Sequence, residues 1–229
     1  MRQALDPSKL KSIYDKVSSR YDFQHALVTL SSDNRGRKMV IEHSVKEGDA
    51  VLDAGAGTGS TALMAAQKTG PSGKVVLFDL SEGMLAEAKT KAEASGVASR
   101  MEFRTGDMSS LPFSDDTFDV VLSTYSLCPL GDPAKGAREL YRVAKPGGRV
   151  AVAHSTDPAN PFVRWLAEQL ERIVWRIPGL SLGCRSVAVT DALRAAGGEI
   201  LFEATIGIPL WPFKVLVVRK PGHASQTQA

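Results

Sequence analysis

Apolar residues along the chain form short runs that alternate with longer stretches of helical spacing. Five runs predict strands, at residues 50–54, 74–78, 101–104, 120–124 and 150–153. Amphipathic stretches between them predict helices that begin at Ser60, after the cap Ser81, and after the pair Asp132-Pro133. This alternation is typical of an α/β domain.

The segments before and after this alternation predict further elements. Residues 8–30 and 34–45 predict two amphipathic helices, and the basic cluster Arg35, Arg37 and Lys38 either forms a solvated face or attracts an anionic substrate or a membrane surface. Residues 161–177 and 189–196 predict helices, and 199–208 with 213–219 predict a hairpin joined through Pro209 and Pro212. We expect a helical arm at residues 1–46, a core domain at 47–220 with a helical insertion at about 158–197, and a disordered tail at 221–229.

The first predicted strand ends in Asp53 and is followed by glycines at alternate positions, Gly55, Gly57 and Gly59. Glycine allows a ligand to approach the main chain, and the N–H groups that open the next helix face that ligand. The third glycine stands one residue earlier than in the dinucleotide fingerprint, and Asp53 would repel a pyrophosphate but could bind an ammonium group. A ligand with an amino acid end and a nucleoside end therefore fits better than a nicotinamide dinucleotide. The alternative is a plain glycine turn.

Two further acids follow the second and third predicted strands. Asp79 stands 20 residues beyond Gly59, where a carboxylate can accept from both hydroxyls of a ribose, unless it is a cap or a solvated acid. Asp107 either accepts from an adenine amino group, with Met108 as an apolar wall, or forms a turn. Met84 packs either on the adenine edge or in the helix–sheet interface.

These residues carry a resemblance to a known family. The segment Leu52-Asp53-Ala54-Gly55-Ala56-Gly57-Thr58-Gly59 resembles motif I of class I methyltransferases that use S-adenosylmethionine (SAM), and the matching positions 79, 106–107, 111–113, 118–119 and 145–148 follow in order. The resemblance covers residues 50–153 and implies a doubly wound, mostly parallel seven-stranded Rossmann-like sheet that binds SAM and releases S-adenosylhomocysteine. Aromatic rings attract a sulfonium cation, so two tyrosines of the arm either cover the cofactor or pack the arm onto the domain. The expected cofactor residues are Tyr14, Tyr21, Asp53, Gly55, Ala56, Gly57, Thr58, Gly59, Asp79, Leu80, Met84, Gly106, Asp107, Met108 and Ser123.

The N-terminal arm narrows the resemblance. Residues 14–22 and 34–38 resemble the ubiquinone/menaquinone-biosynthesis C-methyltransferase family (methyltransferase type 11), which implies a small, lipophilic, quinone-precursor-like acceptor. That family carries an Arg-Asn pair after its fourth strand, where this chain has residues 125–130, Tyr-Ser-Leu-Cys-Pro-Leu. This stretch and residues 183–185 are similar to relatives that methylate phospholipid amines or small thiols, which stays an alternative.

Methyl transfer needs a general base only when the acceptor is protonated. The candidates are His154, at the end of the fifth strand, and Tyr125, after the fourth, because open α/β sheets bind ligands at the carboxyl ends of their strands. The alternative for His154 is a satisfied polar residue at a strand end. The helix at residues 161–177 is either a lid on the core or one wall of a lipophilic pocket with peripheral membrane contact.

Composition restricts the remaining classes of function. The net charge of +3 and the lack of a basic stripe predict no nucleic-acid partner, and Cys128 and Cys184 show no metal-ligand spacing. Neither a signal peptide nor a membrane span is evident, so we expect a cytoplasmic enzyme with a small-molecule acceptor. Two alternatives of another class are a non-catalytic SAM-binding sensor or partner subunit, and a nicotinamide-linked oxidoreductase.

Overall fold

The computed structural model of the protein describes residues 6–18, 21, 32–174 and 186–222. The helices are α1 (Pro7–Val17), α2 (Ser32–Ser44), α3 (Ser60–Thr69), α4 (Glu82–Ala94), α5 (Pro133–Val143), α6 (Pro161–Val174) and α7 (Thr190–Ala195). The strands are β1 (Ala50–Ala54), β2 (Lys74–Asp79), β3 (Met101–Thr105), β4 (Phe118–Thr124), β5 (Ala144–Ser155), β6 (Glu199–Ile208) and β7 (Trp211–Arg219).

The strands form a seven-stranded sheet in the order β3-β2-β1-β4-β5-β7-β6. The neighbours from β3 to β5 pair in parallel, whereas β7 runs antiparallel to both β5 and β6. The chain moves outward in one direction from β1 to β3 and then returns to place β4 on the other side of β1. Ligands bind at such a reversal, outside the carboxyl ends of the strands. The predicted mostly parallel, doubly wound sheet is confirmed.

Alternate residues of the central strands supply two separate cores, one on each face of the sheet. Val51 of β1 packs with residues of α2, α3 and α4, while its neighbour Leu52 packs with residues of α5 and α7. Both side chains are completely buried. The near-continuous apolar runs of the sequence follow from this arrangement, because a parallel strand covered by helices on both sides has no solvent face.

Most predicted boundaries agree with the structure to within two residues, as expected where helix and strand ends fray. Ser81 caps α4 by accepting from the Met84 N–H at 3.1 Å, and Asp132 caps α5 by accepting from the Lys135 N–H at 2.9 Å. The predicted hairpin is present as β6 and β7. However, Pro212 lies inside β7, opposite Gly207, rather than in the connection. Pairing between β7 and β5 ends at Phe213, and Pro212 lies just beyond it. The missing N–H of Pro212 therefore removes no hydrogen bond between β7 and β5.

Helix α1 lies against α4 through one carboxylate. The Asp15 side chain accepts hydrogen bonds from the Ser81 hydroxyl and from the Gly83 N–H, the latter at 3.2 Å. Only the first half of the predicted helix at residues 8–30 can be compared, since residues 22–30 lie outside the described residues. The same holds for residues 175–185 of the predicted insertion and for residues 223–229 of the predicted tail.

Helix α6 carries exposed large apolar side chains. Phe162 is 70% exposed and stacks on Trp165, which is 55% exposed. Within the described part of the chain, no helix combines the length and the apolar character needed to span a bilayer.

Candidate active site

A cleft of about 760 Å³, counting space open to solvent, lies at the carboxyl ends of β1 to β4 beneath α1. The loops that follow these four strands form its floor, and Leu10 and Tyr14 of α1 contribute to its wall. Its size suits a cofactor-sized ligand. The sequence-predicted residues that line it are Tyr14, Tyr21, Gly55, Ala56, Gly57, Thr58, Asp79, Leu80, Met84, Gly106, Asp107, Met108 and Tyr125.

Four predicted site residues lie outside this lining. Asp53 is completely buried at the end of β1, and Gly59 packs against α4, where an added Cβ would meet the Ala88 Cβ at 2.9 Å. The Ser123 hydroxyl contacts the Ser126 hydroxyl at 2.7 Å. His154 is completely buried on β5 and is not brought to the cleft.

The glycine loop is tied to the end of β2. The Phe78 carbonyl accepts from the Gly55 N–H at 2.7 Å, and the Asp79 carboxylate accepts from the Gly57 N–H at 2.8 Å. Gly55 has a φ of 73°, and a Cβ there would lie 2.3 Å from the Ser126 Cβ. Glycine is therefore required at this position for two independent reasons, the left-handed backbone and the lack of space.

The two acids predicted to hold a nucleoside are oriented by their own loops. Asp79 accepts from the Gly57 N–H with one carboxylate oxygen and from the Ser81 N–H with the other, the latter at 2.9 Å. Burial raises the pKa of the Asp79 carboxyl, and these two hydrogen bonds oppose the rise. Asp107 accepts from the Ser109 N–H at 2.8 Å, so it forms a turn and lines the cleft at once. The two interpretations of Asp107 are therefore compatible.

Asp53 is an electrostatic exception. Among the described residues, neither of its carboxylate oxygens has a hydrogen-bond partner within normal geometry. Burial raises the pKa of this carboxyl to about 7, the Asp79 carboxylate adds to the rise, and the Arg37 guanidinium and the nearby Ala62 N–H oppose it. A buried acid without a partner is unfavourable, and a cation bound near it would stabilise its charged form.

Of the alternatives for the basic cluster on α2, a solvated face does not hold for Arg37. It is 8% exposed, lines the cleft, and donates from Nη1 to the Thr61 hydroxyl at 2.8 Å and the Thr124 hydroxyl at 2.9 Å. Sequence reasoning missed it as a site residue. A signal was present, because Arg37 precedes Val40 and Ile41 by three and four residues and so falls on the apolar side of the helix.

The cleft has other lining residues that sequence reasoning missed. Thr124 and Ser126 flank Tyr125 at the end of β4, where the rule that ligands bind at carboxyl ends of strands could have indicated them. The remaining ones are Leu10, Ser60, Pro129 and Leu130.

Tyr125 lines the cleft, but its hydroxyl donates to the Asp33 backbone carbonyl at 3.2 Å. Burial raises the pKa of the hydroxyl well above its usual range, so Tyr125 stays protonated and is poorly suited to act as a base. Its φ of 61° places a bulky residue in the left-handed region, a strain that is typical of functional sites.

His154 has a different environment. Its Nδ1 lies 3.0 Å from the Ser155 carbonyl oxygen, and its Nε2 has no hydrogen-bond partner among the described residues. Burial lowers the pKa of the imidazole, which keeps the ring neutral. The structure therefore places the two predicted catalytic residues apart, with only Tyr125 at the cleft.

Comparison with known proteins identifies the family. A sequence profile of the ubiE/COQ5 methyltransferase family matches residues 2–175. The chain is 34% identical over 174 residues to the ubiquinone/menaquinone biosynthesis C-methyltransferase UbiE of Geobacter sulfurreducens, covering 75% of this chain and 68% of that protein. It is 32% identical over 153 residues to the demethylmenaquinone methyltransferase of Lactobacillus johnsonii, covering 66% of this chain.

The match spans about 63% of the length of the Lactobacillus johnsonii protein. Among solved structures, a SAM-dependent methyltransferase of Aquifex aeolicus superposes with a TM-score of 0.60 at 24% identity, covering 94% of this chain and 98% of that one. This structural likeness shows a shared fold, and the profile together with the sequence identities shows descent. The chain belongs to the ubiE/COQ5 methyltransferase family.

Proposed function

We propose that the protein is a SAM-dependent methyltransferase whose acceptor is a small lipophilic compound of the quinone-precursor type. The observation that carries the proposal is the glycine loop at the reversal of the sheet, fixed by the Asp79 carboxylate in a cleft of cofactor size. Membership of the family supports the same activity, since SAM is the methyl donor that the family implies.

The residues of the cleft fit SAM. Asp79 has accepting capacity left on both oxygens beyond its two backbone contacts, which suits the vicinal hydroxyls of a ribose. Asp107 with Met84 and Met108 offers an acceptor and two apolar side chains for adenine. The unpartnered Asp53 would be stabilised by the positive charge of the bound methionine ammonium.

The acceptor class is inferred from the relatives and from the cleft wall. One relative is named a ubiquinone/menaquinone biosynthesis C-methyltransferase, and another is named a demethylmenaquinone methyltransferase. In this chain, Leu10, Pro129 and Leu130 with the rings of Tyr14 and Tyr21 give the cleft an apolar side suited to a lipophilic acceptor. The exposed face of α6 is a candidate for peripheral membrane contact.

The donor supplies an activated methyl group on a positively charged sulfur. Bound SAM would transfer this methyl group with the electron pair of the broken carbon–sulfur bond remaining on sulfur, and a ring-carbon acceptor would release the replaced hydrogen to water as a proton. The protein aligns the two reactants and excludes water, which is where its catalytic contribution lies. Tyr125 contributes its ring to the wall rather than a base, because its hydroxyl stays protonated.

The first test is calorimetric binding of SAM and S-adenosylhomocysteine to wild type and Asp79→Ala. Loss of a charge-assisted ribose contact is expected to weaken binding about 10-fold to 100-fold. Asp191→Ala is the matched control, since the Asp191 side chain is 91% exposed on α7, away from the cleft. A folded wild type that binds neither ligand would contradict the proposal.

The second test identifies the acceptor with methyl-labelled SAM. The expected result is label on a ring carbon of a demethylated naphthoquinol with a short prenyl tail. Label on phosphatidylethanolamine or on a small thiol would assign the acceptor to the two alternative classes. Cofactor binding without label on any of the three would favour a non-catalytic binding protein.

A further inference from the structure

Arg37 is the one side chain of lysine, arginine or histidine in the described lining of the cleft. It is held rigidly, because Nη1 donates to two hydroxyls, those of Thr61 and Thr124, which are themselves 2.7 Å apart. All three residues are at least nine-tenths buried. A buried arginine that is fixed in this way presents the rest of its planar fork in a defined direction.

The guanidinium has donor capacity that no described residue uses. Both of its hydrogen bonds within the described residues come from Nη1, and its nearest carboxylate contact is a distance of 3.8 Å from Nε to Asp33 Oδ2. Nη2 makes no hydrogen bond to a described residue. It is also not among the described side-chain atoms that are both fully buried and without a hydrogen-bond partner. Because Arg37 lines the cleft, this donor is available to a ligand.

A buried carboxylate, that of Asp53, lies near Arg37 behind the lining of this end of the cleft. Arg37 and Asp53 are close enough for the guanidinium to lower the pKa of the Asp53 carboxyl against the effect of burial. Thr61 stands in the first turn of α3, where the N-terminal end of a helix is positive. A ligand that carries both an ammonium and a carboxylate group would be matched at both charges.

We propose that Arg37 binds the carboxylate of the methionine moiety of SAM, with Thr61 and Thr124 orienting the guanidinium. This inference rests on the proposed function, since it concerns the same cofactor. Asp79 and Asp107 occupy the nucleoside side of the cleft, so the amino acid end falls near the start of α3 and the end of β4. Arginine suits this task because its fork can make two parallel hydrogen bonds to a carboxylate.

The test compares SAM with decarboxylated SAM, which differs only by loss of the carboxylate. Calorimetry on wild type is expected to show about 10-fold to 100-fold tighter binding of SAM. In Arg37→Gln that preference is expected to fall to less than about threefold, because SAM loses affinity and decarboxylated SAM does not. Arg35→Gln is the matched control, since Arg35 is exposed on the same helix and should retain the full preference.

The outcomes separate this proposal from the proposed function. Equal affinity of wild type for the two ligands, or an equal loss of both in Arg37→Gln, would overturn the role of Arg37 while leaving cofactor binding established. Absence of binding to either ligand would instead overturn the function itself. If Arg37→Gln does not fold, Arg37→Lys is the variant to measure. It keeps the charge but loses the fork, so an intermediate preference supports the contact and an unchanged one contradicts it.

Discussion

The acidic residues at the two ends of the parallel strands differ in whether the protein supplies partners for their carboxylates. At the amino end, Asp119 accepts from Lys145 Nζ at 2.7 Å and from the Ala50 N–H at 2.9 Å, and Asp49 pairs with Arg149 at 3.0 Å. At the carboxyl end, Asp53 is buried without a hydrogen-bond partner among the described residues. The carboxylates of the amino end are paired within the protein, although the Nε of Arg149 is buried there without a hydrogen-bond partner among the described residues. The carboxylate of Asp53 at the other end keeps both oxygens for a ligand.

Left-handed backbone occurs at both ends of the sheet, but in different residue types. At the amino end it is adopted by Asp116, with a φ of 58°, and by Gly147, with a φ of 78° in the irregular first part of β5, and both types tolerate this region. Tyr125, a bulky residue at the carboxyl end of β4, has a φ of 61°. Unfavourable local choices that persist are expected where function needs them. The contrast therefore indicates the functional end of the sheet without reference to any relative.

The largest effect is expected from a matched pair of glycine substitutions. Gly55→Ala should lower the free energy of unfolding by about 2–5 kcal/mol, the sum of left-handed strain and overpacking, and should abolish cofactor binding. Gly147→Ala should cost only about 1–2 kcal/mol, because nothing lies within 4 Å of the added Cβ. Urea denaturation of both variants measures the difference. Equal losses of stability in the two variants would mean that the Ser126 side chain moves away from the added Cβ at no cost.

A second contrast uses pH. Burial raises the folded-state pKa of Asp53 from 3.8 to about 7. Between about pH 4 and 7 the folded state therefore keeps a proton that the unfolded state has lost, so the free energy of unfolding of the protein without SAM should fall as pH rises through this range and should level off above it. Across that range the free energy of unfolding should fall by an amount on the order of 1 kcal/mol or more. In Asp53→Asn this dependence should be reduced to the part that Asp79 contributes, because burial raises its pKa as well, and SAM binding should weaken. Thermal unfolding at several pH values measures it, and identical slopes in the two proteins would contradict the assignment.

Asp119 should behave with the opposite sign. Although burial raises its pKa, the hydrogen bonds from Lys145 and the Ala50 N–H bring the pKa of this carboxyl below its usual value. Its contribution to stability is therefore present above the unfolded-state pKa and is lost as pH falls through the folded-state value. Asp119→Asn should flatten the acid side of the stability profile and leave the region near neutral pH unchanged.

The smallest effect is expected for Tyr125→Phe. Loss of the hydrogen bond to the Asp33 carbonyl should cost about 0.5–1.5 kcal/mol of stability. The catalytic rate should change less than about threefold, because burial raises the pKa of the hydroxyl and favours its protonated form. A decrease of about 100-fold or more, measured by label transfer at saturating SAM, would restore Tyr125 to the catalytic role predicted from the sequence.

The sheet and its helices were predictable because their signals are local. An apolar run of five residues, a capping serine and alternate glycines each determine nearby backbone, and the structure reproduces them within two residues at most boundaries. The prediction that Pro212 lies in the connection was wrong because β7 continues to pair with β6 for two residues beyond Phe213, where its pairing with β5 stops. That information is not in the neighbouring residues.

The site residues in the loops that directly follow strands were predictable from the sequence. Those whose position depends on packing between distant segments were not. The loops after β1, β2 and β3 bring their predicted residues to one cleft, since parallel strands end at the same edge. Arg37 was missed because a basic residue on a surface helix is usually solvated, and its burial depends on threonines 24 and 87 residues away. His154 stands at a strand end as predicted, yet the cleft does not extend to β5.

The bond from the Gly57 N–H to Asp79 also bears on how fast a cofactor can bind. The same carboxylate that is proposed to hold the ribose also holds the loop through a hydrogen bond within the protein. Binding then need not order the loop, and little conformational entropy is lost at that point. Association should therefore resemble that of a rigid receptor, at roughly 10⁵–10⁷ M⁻¹s⁻¹, unless displacement of α1 from above the cleft is slower.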